Sequence, residues 1–126
     1  MAIKISNSTI IDDSRNIVDI KSTRGTIVSL ATNATTIDLS LGSYFTGTIS
    51  TSSISYTFSN IPTSTYFTFV LELNISSTTT ITWPTAVKWP SDTAPTVTNG
   101  KSHLYVFVTD DGGTRWRAVA LSDYTT

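Results

Sequence analysis

The stretch "YFTFVLELN", residues 66–74, alternates without a break. Phe67, Phe69, Leu71 and Leu73 fall on one side of an extended chain, and Tyr66, Thr68, Val70, Glu72 and Asn74 on the other, which is the two-residue period of a β-strand. The first side predicts core. The second is mixed, and predicts partial cover by another subunit.

Outward from that strand, "SHLYVFVTDDGGTRWRAVAL" (102–121) reads as a hairpin, because Asp111-Gly112 accepts the positive φ values of a tight turn. A turn centred there sets Phe107 opposite Trp116 and Tyr105 opposite Ala118, with Val108 and Val106 facing Arg115 and Arg117 on the other side. The aromatic pair would add about 0.2–1 kcal/mol over small residues. Between residues 26 and 58 the runs "TIVSLAT", "TIDLSL", "YFTGTIS" and "SISYTFS" are separated by Asn, Gly and Ser/Thr clusters, and "STTTITW" follows at 77–83. No window sustains a helical period, and helix formers such as Glu, Gln, Lys and Leu are scarce. These signals predict an all-β domain: about eight strands between residues 26 and 122, in an antiparallel, jelly-roll-like β-sandwich.

Composition narrows the function. The 126 residues contain no cysteine, which removes disulfides and thiol chemistry. Eight Lys and Arg balance nine Asp and Glu, of which Glu72 is the single glutamate. Without a basic stripe the chain does not read as a nucleic-acid binder. Charged residues are 13% of the chain, about half the usual share, and Ser plus Thr make up about a third. Such a surface suits a protein that spends its life assembled. The opening "MAIKISNSTIIDD" lacks the apolar core of a secretory signal, and no run is long enough for a membrane helix.

Residues 1–24 differ from the rest. Short β-like triplets containing Ile3, Ile5, Ile10, Ile11 and Ile17 surround a polar centre with Asp12, Asp13 and Arg15, and the segment has no aromatic residue. A stretch without a ring to anchor it adds little to a private core, so it is expected to be an extended arm that packs against another chain. Residues 25–126 form the knob.

Signals for chemistry are sparse. His103 has no second His and no Cys beside it, which rules out the usual zinc ligand sets, and it is expected at the surface or a subunit boundary. Asp12-Asp13 and Asp110-Asp111 lack the alternating oxygen ligands of a calcium loop and are read as turn residues. No nucleophile elbow, phosphate loop or paired-carboxylate site is legible. No cofactor is therefore expected. In "TWPTAVKWP" (82–90) each proline denies a ladder donor and biases Trp83 and Trp89 to extended geometry, so each pair marks a strand end or corner. The indoles are expected to close one end of the sandwich with their N–H groups on loop carbonyls. The competing reading has Trp83 and Trp89 exposed and stacking on the sugars of a host glycan. The corner is favoured, since the loop lacks the amides and carboxylates that bind saccharide hydroxyls.

Two segments carry a resemblance. "MAIKISNSTIIDDSRNIVDI" is similar to the N-terminal segment of many virion proteins of marine and cyanobacterial tailed phages, in which an IDDSRN-like core precedes fibre or knob domains. "ITWPTAVKWPSDTAPTVTNGKSHLYVFVTDDGGTRWRAVAL" resembles a β module of phage tail-fibre and head-decoration proteins, on Trp83, Pro84, Trp89, Pro90, Pro95, Gly100, Lys101, Tyr105, Phe107, Asp111, Gly112, Gly113 and Trp116. The matches span about half the chain; residues 25–75 match in composition alone. The resemblance implies a structural role in the virion, no active site, and assembly as a homo-oligomer, commonly a trimer. An arm plus one knob is short for a tail fibre, which favours a capsid decoration or head-fibre protein whose arm binds the major capsid protein or another virion protein. The alternative is a tail-fibre or receptor-binding module recognising a host surface glycan.

Overall fold

The computed structural model describes Ile3–Ile5, Ser8–Ile11 and residues 24–126. Strand β1 (Ile3–Ile5) pairs antiparallel with β2 (Ser8–Ile11). Of the expected arm residues, Ile3, Ile5, Ile10 and Ile11 belong to these two strands, while Asp12, Asp13, Arg15 and Ile17 lie outside the described residues.

The knob is all-β: β3 (Ile27–Ser29), β4 (Thr36–Asp38), β5 (Tyr44–Ile49), β6 (Ser53–Ser55), β7 (Thr57–Ser59), β8 (Phe67–Ile75), β9 (Thr80–Thr82), β10 (Val87–Lys88), β11 (Lys101–Thr109) and β12 (Trp116–Thr125), with one 3-10 turn at Pro90–Asp92. There are more strands than expected because "SISYTFS" divides at Tyr56 and because Val87-Lys88 joins a sheet edge. One layer is a six-stranded sheet in the order β10-β12-β11-β8-β5-β3. The second layer consists of the pairs β4-β7 and β6-β9.

The strand order departs from the antiparallel, jelly-roll-like arrangement. Only β8-β11 and β11-β12 are antiparallel in the knob, whereas β3-β5, β5-β8, β4-β7, β6-β9 and β10-β12 are parallel. From β3 to β9 the chain crosses to the opposite layer after each wall strand and returns one strand further on, so it winds in coils. A parallel neighbour requires a crossover, and here the second layer supplies it in place of a helix.

The turn residues explain why the chain winds. Asn33, at φ 61°, accepts from the Ser50 N–H at 2.8 Å and donates from Nδ2 to Ser50 Oγ at 2.9 Å. Ser76 Oγ donates to the Ile49 carbonyl, Thr79 Oγ1 to the Thr51 carbonyl, and the Thr36 and Thr57 hydroxyls meet at 3.2 Å. Each bond joins one coil to the next. Part of the high Ser and Thr content therefore serves coil stacking rather than solvent.

Alternation works as the strand pattern requires. Phe69, Leu71, Leu73 and Ile75 of β8, Tyr105 and Phe107 of β11, and Phe45 and Ile49 of β5 are buried. Ile37 and Ile54 come from the second layer. Phe58 of β7 packs edge-to-face with Phe69, Phe107 and Trp116, ring centroids 5.1, 5.2 and 5.5 Å apart, which ties the layers together.

The hairpin register differs from expectation by two residues: Phe107 lies opposite Ala118, Tyr105 opposite Ala120, Val108 opposite Arg117 and Val106 opposite Val119. The faces are as expected, since a shift of two preserves them. The turn is wider because buried Thr109 organises it. Its Oγ donates to Asp111 Oδ1 at 2.9 Å and accepts from the Gly113 N–H at 3.0 Å, while Asp111 also accepts from the Arg115 N–H. The bond from the Arg115 backbone holds the Asp111 carboxyl below its ordinary pKa, and the Thr109 hydroxyl adds to this.

Gly113 is at φ 85°, and a Cβ there would sit 2.8 and 2.9 Å from Ile61 side-chain carbons. Gly100 has a similar φ of 77° with nothing within 4 Å. Urea unfolding should therefore separate them: Gly100→Ala is expected to lose about 1 kcal/mol from backbone strain alone, and Gly113→Ala about 2–4 kcal/mol once overpacking is added. Equal losses would show that Ile61 moves aside freely.

Candidate functional site

Two regions compete as the functional site: the Trp-Pro corner and the outer face of the six-stranded sheet. At the corner, the Val87 N–H bonds the Pro84 carbonyl at 2.9 Å, turning the chain so that Val87 and Lys88 pair parallel with Trp116 and Arg117. Trp83 stacks on Tyr56 at 5.3 Å and meets Tyr105 and Phe107 at 4.9 and 5.4 Å. Trp89 packs edge-on against Trp83 at 5.5 Å. Both indoles are half-buried at the margin of the core.

The corner reading fits this geometry, with one correction. The rings are held by aromatic packing, and among the described residues no indole N–H bonds a loop carbonyl. A sugar platform needs a free ring face, and the faces of Trp83 are used within the protein. Trp89 borders a shallow depression with Lys88, Pro90 and Arg117.

His103 is not at the surface. It is fully buried on the inner face of β11, and its Nε2 accepts from the Thr98 N–H at 3.1 Å. Burial follows from register, because His103 pairs with Leu73, itself a core residue. Asp38 accepts from Ser40 Oγ at 2.6 Å, Asn60 Nδ2 at 2.9 Å and the Ser40 N–H at 3.0 Å. The Ser40 hydroxyl is the largest cause of a lowered Asp38 pKa. Asp110 bonds Arg115 at 3.2 Å and lies 3.7 Å from Arg117. These carboxylates hold turns and strand ends. Among the described residues, no three His, Asp or Glu side chains come together as a metal site.

The outer sheet face has a different character. Strand register lines up Ile27, Tyr44, Val70, Val106 and Val119 as one row across five strands. Ile27 is 64% exposed and Val119 49%. Leu104 and Leu121 form a flanking pair with Glu72 beside them, and Val108 pairs with Arg117 on the other flank. Such an apolar band in solvent is costly on a lone protein.

Glu72 is the polar centre of this face, accepting from the Tyr44 hydroxyl at 2.7 Å. That bond to the carboxylate, more than burial, raises the Tyr44 pKa. The neighbouring Ser102 hydroxyl donates to Asn74. Two shallow depressions meet at Glu72, one of about 540 Å³ reaching Tyr124 and one of about 570 Å³ reaching Gly25 and Ile27. The second lies where the chain emerges from the N-terminal segment. Alternation in 66–74 marks Val70 and Glu72 as outward. That they continue a row through four other strands depends on register and parallel pairing.

Comparison with family models, with curated proteins and with solved structures finds no match to this chain.

The corner also makes a prediction about alkali. Burial raises the pKa of the Tyr56 and Tyr105 phenols, the second also by proximity to the first. Because the folded values lie above the unfolded value of about 10, this contribution to stability is complete below about pH 10 and is lost as pH rises further. Spectrophotometric titration should show these two phenols ionising together with the loss of near-ultraviolet circular dichroism. Ionisation of all five tyrosines while that signal persists would contradict the packing.

Proposed function

We propose that this chain is a non-enzymatic structural protein of a phage virion, acting as a capsid decoration or head-fibre protein. Residues 1–24 serve as the attachment arm, the major capsid protein or another virion protein is the partner, and the virion is the place of work. The resemblance in the two segments quoted above supplies the virion context. The observation that carries an assembly role is the outer sheet face: a continuous row of Ile, Tyr and Val with no second layer over it among the described residues, on a knob whose opposite face already closes an aromatic core.

Its physical action is added interface. A protein that binds the assembled shell and not its separated parts stabilises the shell by mass action, and an arm together with an apolar face supplies the area for specific contact. Low charge favours such burial, because few ions must be stripped of water. Homo-oligomerisation, with the trimer implied by the resemblance, belongs to the same reading.

Removing residues 1–20 tests the reading. The truncated protein is expected to keep the thermal transition of the knob but to be missing from purified particles, while the full chain is present at a copy number comparable with that of the major capsid protein. Normal occupancy of the truncated protein would overturn the arm's role. A copy number far below that of the capsid protein would overturn decoration in favour of a tail or vertex position.

A further inference from the structure

We infer that the outer face of the six-stranded sheet binds a second copy of this chain, face to face, about a two-fold axis passing over Val106. This deepens the assembly reading by naming the partner of that face, and it rests on the charge pattern and size of the face.

The pattern is self-complementary. Val106 lies within the apolar row, with Val70 on one neighbouring strand and Val119 on the other. Glu72 lies on the β8 side, one outward-facing pair along the strands. Arg117 lies on the β12 side, one outward-facing pair in the opposite direction. The carboxylate and the guanidinium thus stand at opposite ends of a diagonal whose midpoint is Val106.

A two-fold axis lying in the contact plane, perpendicular to that diagonal, brings each Glu72 onto the partner's Arg117. An axis along the diagonal would instead set Glu72 on its own copy. The charges therefore select one orientation, with two ion pairs flanking an apolar centre and the strands of the two copies crossing at a steep angle, an established mode of sheet packing. Isologous contacts of this kind are the commonest in soluble oligomers.

The constituents suit burial. Glu72 already accepts from Tyr44, so its carboxylate is partly satisfied before a partner arrives. Arg117 has a side chain 60% exposed and its present neighbour, Asp110, is 3.7 Å away and 57% exposed. Arg115 remains bonded to Asp110 at 3.2 Å, so Asp110 keeps a partner if Arg117 turns to the second copy. The strands of this sheet cover about 600 Å² in projection, at ~4.8 Å between strands and ~3.3 Å per residue. That is the scale of the ~800 Å² each partner contributes to a standard interface. This contact joins copies in pairs and is separate from the threefold assembly the resemblance implies.

Sedimentation of the full chain at micromolar concentration, with complementary charge reversals, tests the inference. Wild type is expected to be dimeric or a higher multiple of two. Glu72→Arg and Arg117→Glu should each weaken association more than tenfold, because each homodimer then carries two like-charge contacts, while circular dichroism stays native. An equimolar mixture of the two variants should restore association, since both contacts are then attractive. A misfolded variant would fail in the mixture as well as alone, so rescue separates interface from folding. A monomeric or purely trimeric wild type, unchanged association in both variants, or a mixture that stays apart despite native spectra would each overturn the proposal. So would an intramolecular disulfide formed efficiently between Ile17→Cys and Val106→Cys in a monomer, which would identify the chain's own arm as the occupant. None of these outcomes depends on particle occupancy, which tests the virion role by itself.

Discussion

Phe58 stands on a three-residue strand of the minor layer, yet its ring packs edge-to-face with Phe69, Phe107 and Trp116 on three successive strands of the main sheet. Those three rings are fully buried or nearly so, and they stack on or cross one another at 4.7 and 5.3 Å. A small all-β knob without disulfides has little margin in its core, and aromatic rings supply large buried area with defined geometry. The layers, the hairpin turn beside Ile61 and the Trp-Pro corner all depend on this cluster. Trp83 and Trp89 extend it through Tyr105 and Phe107 to the end of the sandwich.

Around that cluster the chain solves a topological problem with side-chain hydrogen bonds. Parallel strands cannot be joined by tight turns, so the chain passes through the opposite layer and each return must be held in register. Asn33, Ser76 and Thr79 hold it by bonding groups of an adjacent coil. Short strands such as β4, β6 and β9 are viable for the same reason, since their ends are tied by side chains as well as by ladder bonds.

The consequence for function is a division of labour between the two sides of the main sheet. All the large rings except Tyr44, Tyr66 and Tyr124 pack inward or at the core margin, leaving the outer face to branched aliphatics, Tyr44, Tyr124 and a few polar groups. That face has no second layer of its own chain among the described residues. The Tyr44–Glu72 bond already satisfies part of the one glutamate on that face.

The strands themselves were legible from period and composition: residues 66–74, the 102–121 hairpin and each short Thr-rich run carry a strand where alternation placed one. Trp83 and Trp89 were legible as corners because proline's missing donor is a local property. His103 was misread because its burial depends on pairing with Leu73, and the hairpin register slipped because the Thr109 hydroxyl, a residue outside the turn dipeptide, widens the loop. The parallel coils and the Ile27–Val119 row lay further out of reach. Which side of each strand is apolar is written in the residue order, since alternation is set by the backbone within a few residues. Which strands lie beside one another, and therefore which outward residues share a face, was decided only in the tertiary structure, because pairing is a bond between segments distant in the chain and leaves no period within either one.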